Sequence, residues 1–183
     1  MLRISTTVTC CLLFLSITAG PVSAQICFLT NAFQVRGVLL DPSEGFFPKL
    51  CDSDDDRVRM LAGFTLNNLE PRVWLEGQSV IPAGSLGFNV RLESNAGTPG
   101  LQLRIEVLNH TTGMFDTFLV DTEAFNTDFA RFFSIVGPNA ANYISATNRV
   151  TARAGWKRDG FVINDPWEVR VDRFVIIPFI DPV

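Results

Sequence analysis

The sequence predicts an all-β fold, a two-sheet antiparallel β-sandwich (jelly roll) of 8–9 strands behind a cleaved leader. Three observations predict it. Short apolar runs recur along the whole chain with the period-2 alternation of strands that bury one face. Gly, Pro, Asn and Asp punctuate those runs at short intervals, as turns between antiparallel strands require. No segment beyond the leader carries a 3.6-residue apolar stripe.

Residues 1–24 read as a signal peptide. Arg3 supplies the positive start, Val8–Ile17 the apolar centre, and Val22-Ser23-Ala24 the small-residue cleavage site. The apolar run falls short of the ~20 residues of a membrane span. Export is therefore expected, with residues 25–183 as a single β-sandwich domain that has no span after cleavage. Lys and Arg number 15 against 19 Asp and Glu, a net charge of −4, which speaks against nucleic acid or an anionic membrane as partner.

Phe33–Leu40 is the first expected strand, ended by the turn Asp41–Gly45. Arg57–Thr65 alternates next, with Val58, Met60, Ala62 and Phe64 inward. Val73–Glu76 carries Trp74. Phe88, Val90 and Leu92 alternate with Asn89, Arg91 and Glu93, and Leu101–Val107 is the most regular amphipathic strand. Asn109–Gly113 closes a hairpin to Met114–Val120, where Gly113 supplies a positive φ. Phe129–Val136 follows, and Asn142–Ser145 fits a brief strand or one helical turn. Two long strands close the chain. Val150, Ala152, Ala154 and Trp156 alternate with polar neighbours, as do Trp167, Val169 and Val171. Phe174–Ile177 is apolar on both faces, which marks a central strand.

Several pieces together resemble a group of secreted bacterial jelly-roll domains, similar in outline to galactose-binding-like and carbohydrate-binding modules. They are Ser53–Arg57, Leu108–Gly113, Arg149–Trp156 and Pro166–Asp172. The resemblance covers about Phe33 to Ile177. It implies a sandwich fold and a binding role, and it names no catalytic residue, because function on such folds resides in sites grafted onto them.

Candidate site residues follow from local chemistry. Asp52, Asp54, Asp55 and Asp56 crowd four carboxylates together, which asks for solvent, backbone N–H donors or a cation. A structural Ca²⁺ held by hard oxygen ligands is one reading, although the spacing is not that of an EF-hand. A turn whose Asp side chains cap backbone amides is the other. No other cofactor is implied. Cys27 and Cys51 remain once Cys10 and Cys11 leave with the leader. In an oxidising compartment they are expected to form a disulfide, worth ~3.5 kcal/mol by chain entropy. Arg153 and Asp172 fall on polar phases of the two closing strands and are expected either to pair as a buried ion pair or to face solvent separately.

His110, the only histidine, sits in a turn beside Thr111 and Thr112 and reads as a solvated loop residue. Glu76, Glu93, Glu106 and Glu168 fall on outward phases. Trp74, Trp156 and Trp167 read as core. Trp156, Lys157, Arg158 and Asp159, at a strand end, form the expected recognition edge. The composite reading is a secreted, extracytoplasmic, non-catalytic ligand-binding or adhesive module, whose partner is a glycan or another extracellular component. A structural envelope or matrix component is the second reading. A small carbohydrate-active enzyme, needing two carboxylates ~5–10 Å apart in a cleft, is the third.

Overall fold

A computed structural model describes residues 29–40, 49–51, 55–62, 70–158 and 166–179. The expected leader, Cys27, Asp52, Asp54 and Asp159 lie outside those residues. The strands are β1 (Leu29–Arg36), β2 (Val38–Leu39), β3 (Val58–Leu61), β4 (Val73–Val80) and β5 (Gly87–Ala96), then β6 (Leu101–Asn109), β7 (Met114–Thr122), β8 (Phe129–Val136), β9 (Arg149–Arg158) and β10 (Glu168–Phe179). A 3-10 turn spans Pro138–Tyr143. It replaces the strand or helical turn expected at Asn142–Ser145, because Pro138 presets its first φ and Gly137 precedes it at φ 73°.

Two five-stranded sheets result, ordered β1-β4-β9-β6-β7 and β2-β3-β10-β5-β8. Every strand pairing is antiparallel. The two long closing strands are thus the middle strands of different sheets, β9 in the first and β10 in the second. The expected first strand is split. Gly37, at φ 104°, carries the chain from β1 in one sheet to β2 in the other. A side chain there would meet the Leu61 carbonyl oxygen at 2.9 Å, so only glycine fits.

The inner faces follow the sequence alternation. Phe88, Val90 and Leu92 of β5 meet Leu101, Leu103, Ile105 and Val107 of β6 in one buried cluster with Trp156, Trp167 and Phe174. Small residues make room for large ones. The Cβ of any residue replacing Gly77 would come within 3.0 Å of the Phe174 ring and 2.9 Å of Leu29. Such interlocking of volumes gives the interior its near-crystalline density. A β-bulge between Val171 and Arg173 shifts the register of β10 on β5. Val169 and Val171 point inward before it, and Phe174 and Ile176 after it, so Asp172 is the residue that changes phase.

Candidate functional site

The outer face of the second sheet carries the most exposed aromatic ring in the described residues. Along β8 the side chains alternate: Arg131 and Ile135 turn inward, while Phe132 stays 74 % exposed. Phe132 lies across from Arg91 of β5, and Arg91 from Val175 of β10. The next rung is Ser134, Asn89 and Ile177, with the Ser134 hydroxyl donating to Asn89 Oδ1 at 2.6 Å. Asn89, Arg91, Ala130, Phe132 and Ile177 line a hollow of about 420 Å³. On the rung beyond lies Glu93, whose Oε2 is buried and has no hydrogen-bond partner. Arg91 Nη2 approaches that oxygen only to 3.9 Å.

The site therefore offers a flat apolar ring, an apolar floor, a guanidinium, an amide and a hydroxyl. All stand on three neighbouring strands of one sheet, β8, β5 and β10. Such a surface can stack a flat, weakly polar ligand face and bond hydroxyls at its rim.

A second hollow of about 450 Å³ lies on the other side of β8, lined by Phe118, Ser134, Ile135, Val136, Asn139, Asn142 and Tyr143. Phe118 stacks on Phe133 at 5.2 Å and meets Tyr143 edge-on at 5.1 Å. The Tyr143 hydroxyl donates to Asp116 Oδ2 at 2.9 Å. Burial and the Asp116 carboxylate raise the Tyr143 pKa above its ordinary value. Tyr143 is thus a neutral hydrogen-bond donor that fixes the 3-10 turn on the sheet.

Beneath β8 the two sheets are locked by a buried network. The Glu123 carboxylate accepts from Arg131 Nη1 at 2.9 Å, the Ala124 amide at 2.9 Å, the Ser94 hydroxyl at 2.8 Å and the Trp156 indole N–H. Arg131 also donates to Asp121 at 2.7 Å and to the Thr122 carbonyl at 2.9 Å. Every strong acceptor site of Glu123 is used, which is the condition for tolerating a buried charge. The Arg131 hydrogen bond holds the Asp121 carboxyl below its ordinary pKa.

The sequence-predicted residues are distributed differently from expectation. Trp156 is fully buried and bonded to Glu123, so it is core, as its strand phase predicts, and contributes no recognition surface. Lys157 and Arg158 are half-buried beside it. Arg153 takes Glu106 as its partner at 2.6 Å and not Asp172, which lies in the opposite sheet at the β10 bulge. Glu106 is correspondingly buried, contrary to its expected place as ordinary surface. Of the acidic cluster, Asp55 accepts from Arg57 at 2.7 Å and Asp56 from Lys49 at 2.8 Å. Cys51 is buried near β10, where the Phe174 amide bonds the Leu50 carbonyl.

Trp74 corrects the core reading of the three tryptophans. Val73 and Leu75 point inward, so Trp74 points out, and its ring lies flat over Gly155 of β9. Arg153 sits between the Trp74 and Phe115 rings at 4.2 and 3.8 Å, and Arg104 covers Trp74 at 5.3 Å. Covered in this way, Trp74 is 5 % exposed and closed to a ligand. Trp167 is core as expected. The Phe132 hollow was missed because Phe132-Phe133 reads as an apolar pair. The available signal was alternation, which sends only one of two adjacent strand residues inward.

No protein-family model matches the chain, and no curated protein does. Solved structures similar to it include TmCBM61 in complex with beta-1,4-galactotriose, at 12 % identity and TM-score 0.43, covering 81 % of this chain and 87 % of that one. Another is the N-terminal cellulose-binding domain of Cellulomonas fimi beta-1,4-glucanase C, at 14 % identity and TM-score 0.44, covering 68 % and 80 %. A third is a family 29 carbohydrate-binding module, at 8 % identity and TM-score 0.43, covering 85 % and 88 %.

Proposed function

We propose that this protein is an exported, non-catalytic binding module that takes a glycan on the outer face of its second sheet. The observation that carries the reading is Phe132, a ring 74 % exposed on a rigid strand beside Arg91, Asn89 and Ser134. Leaving such a ring in water forgoes ~1.5–3 kcal/mol of burial, so a ligand that covers it recovers that stabilisation. Sugars suit the site because their C–H faces stack on aromatic rings while their hydroxyls bond the rim.

Two further features belong to the proposal. A Cys27–Cys51 bridge, formed in an oxidising compartment, would tie the segment before β1 to the buried end of Leu50-Cys51. A Ca²⁺ at the acidic segment would need Asp52 and Asp54, because Asp55 and Asp56 already have cationic partners.

A glycan array followed by calorimetry tests the binding reading. F132A is expected to abolish or weaken by at least tenfold any binding found, with an unchanged melting temperature, since the ring is not packed. Binding that survives F132A, or an empty array, removes the Phe132 site as a glycan platform. Repeating both measurements with chelator separates any role of Ca²⁺.

A further inference from the structure

Among the residues lining the Phe132 hollow, only Arg91 is charged. It stands between Phe132 and Val175, its neighbours across the two ladders, and its side chain is 38 % exposed. Other outward arginines are committed to the protein itself. Arg57 pairs with Asp55 and Asp128, and Arg59 and Arg170 pair with Glu168. Arg104 and Arg153 pair with Glu106 and cover the Trp74 ring. Arg91 donates no hydrogen bond among the described residues. Glu93 is the carboxylate that approaches it, and at 3.9 Å it lies outside hydrogen-bond reach. Glu93 moderates the local charge without filling the guanidinium fork.

Asn89 adds a second observation. It stands two residues from Arg91 on the same face of β5, about 7 Å along the strand. Its Oδ1 accepts from the Ser134 hydroxyl at 2.6 Å, which leaves the amide NH2 as its unused polar end. Arg91 and Asn89 therefore both present N–H donors to the hollow. An ionised carboxylate is the complement of such a pair, since it accepts only and carries about four lone-pair sites. The planar guanidinium matches it with two parallel N–H···O bonds, where a sugar hydroxyl engages a single N–H.

We propose that the ligand of this hollow is an acidic glycan. A sugar ring covers Phe132, and the carboxylate of a uronic acid is taken by the Arg91 fork with Asn89 Nδ2 as a further donor. This rests on the glycan reading above and goes beyond it by making charge the determinant of specificity. The chain's net charge of −4 repels an anionic chain at long range, so the attraction is local to Arg91. Phe132 and Ile177 displace water beside the fork, which strengthens an ion pair formed there. The hollow beside Tyr143 has no charged residue in its lining, so the preference belongs to the Phe132 hollow alone.

Calorimetry with oligogalacturonate and oligoalginate, each against its methyl ester, tests the proposal, because the ester keeps the rings and removes the charge. At least one acid is expected to bind tenfold or more tighter than its ester, the order of a hydrogen-bonded charge, and to weaken as salt is raised. R91Q should erase that difference at an unchanged melting temperature. R91K keeps the charge and loses the fork, so it should retain part of the preference. R149Q, at an exposed arginine of the other sheet, should change nothing. Acid and ester bound alike, or a preference that survives R91Q, overturns the proposal. If that binding is nevertheless lost in F132A, the glycan platform stands without its acidic specificity. Neutral glycans captured on the array while both acids fail also overturn the acidic ligand alone, whereas an empty array with both acids failing removes both readings. Should R91Q not fold, the acid–ester comparison on the wild-type protein and on R91K decides.

Discussion

Gly155 shows how much one missing methyl can decide. The Trp74 ring occupies the space where a Cβ would project, and that ring in turn orders Arg104 and Arg153. G155A is expected to destabilise the fold by ~1–3 kcal/mol, as overpacking does, measured by urea unfolding followed through tryptophan fluorescence. The buried Glu123–Arg131 pair sets a second residue-scale expectation. R131M should remove ~3–5 kcal/mol by stranding Glu123. E123Q combined with R131M should recover part of that loss, because no net charge then remains buried. Thermal melts of the single and double variants read the difference.

Neither arrangement was legible in the sequence. Trp74 was misread because Val73–Glu76 is too short a window to reveal phase. The continuation through Gly77 and Ser79, both buried, shows that odd positions point inward. Glu123 and Asp121 flank the end of β7, far from Arg131 in character and close only through a turn. By contrast, β6 and β9 were read correctly in phase, since their apolar positions repeat over four consecutive inward sites.

At the level of elements, β3 is held to β10 by charge as well as by its ladder. Arg59 bonds both Glu168 oxygens, at 2.8 and 2.9 Å, and Arg170 donates to the same carboxylate at 2.8 Å. These donors, Arg59 foremost, hold the Glu168 carboxyl below its ordinary pKa. A carboxyl lowered in the folded state contributes stability that is complete above its unfolded pKa and is lost as pH falls through the folded one. Glu168 and Asp121 both act in this direction. Stability should therefore be flat from about pH 5 up to the onset of Tyr143 ionisation, and decline below pH 4, the region of ordinary carboxyl titration. R59A should make the decline shallower. A pH series of urea midpoints, with and without R59A, checks the sign. The two-residue β2 was not legible in the sequence, because a strand that short has no period to read.

For the molecule as a whole, the sandwich and its two central strands were readable because alternation survives without knowledge of partners. Sheet order was not, because pairing β9 with β4 and β6, and β10 with β3 and β5, depends on contacts distant in sequence. Export and the Cys27–Cys51 bridge make one joint expectation. Protein secreted into an oxidising medium should lack free thiol under denaturing conditions. C51S should lower stability by about 3 kcal/mol on the chain-entropy estimate. A free thiol in the wild-type protein counts against the bridge.

Gly37 has a bearing on how this protein meets proteases. Since one residue there passes the chain from the edge of one layer to the edge of the other, the β1–β2 arm is stitched to both. It cannot fray from one layer while remaining seated on the second. Cleavage within the arm should accordingly track the opening of the entire molecule, with a urea dependence as steep as that of global unfolding.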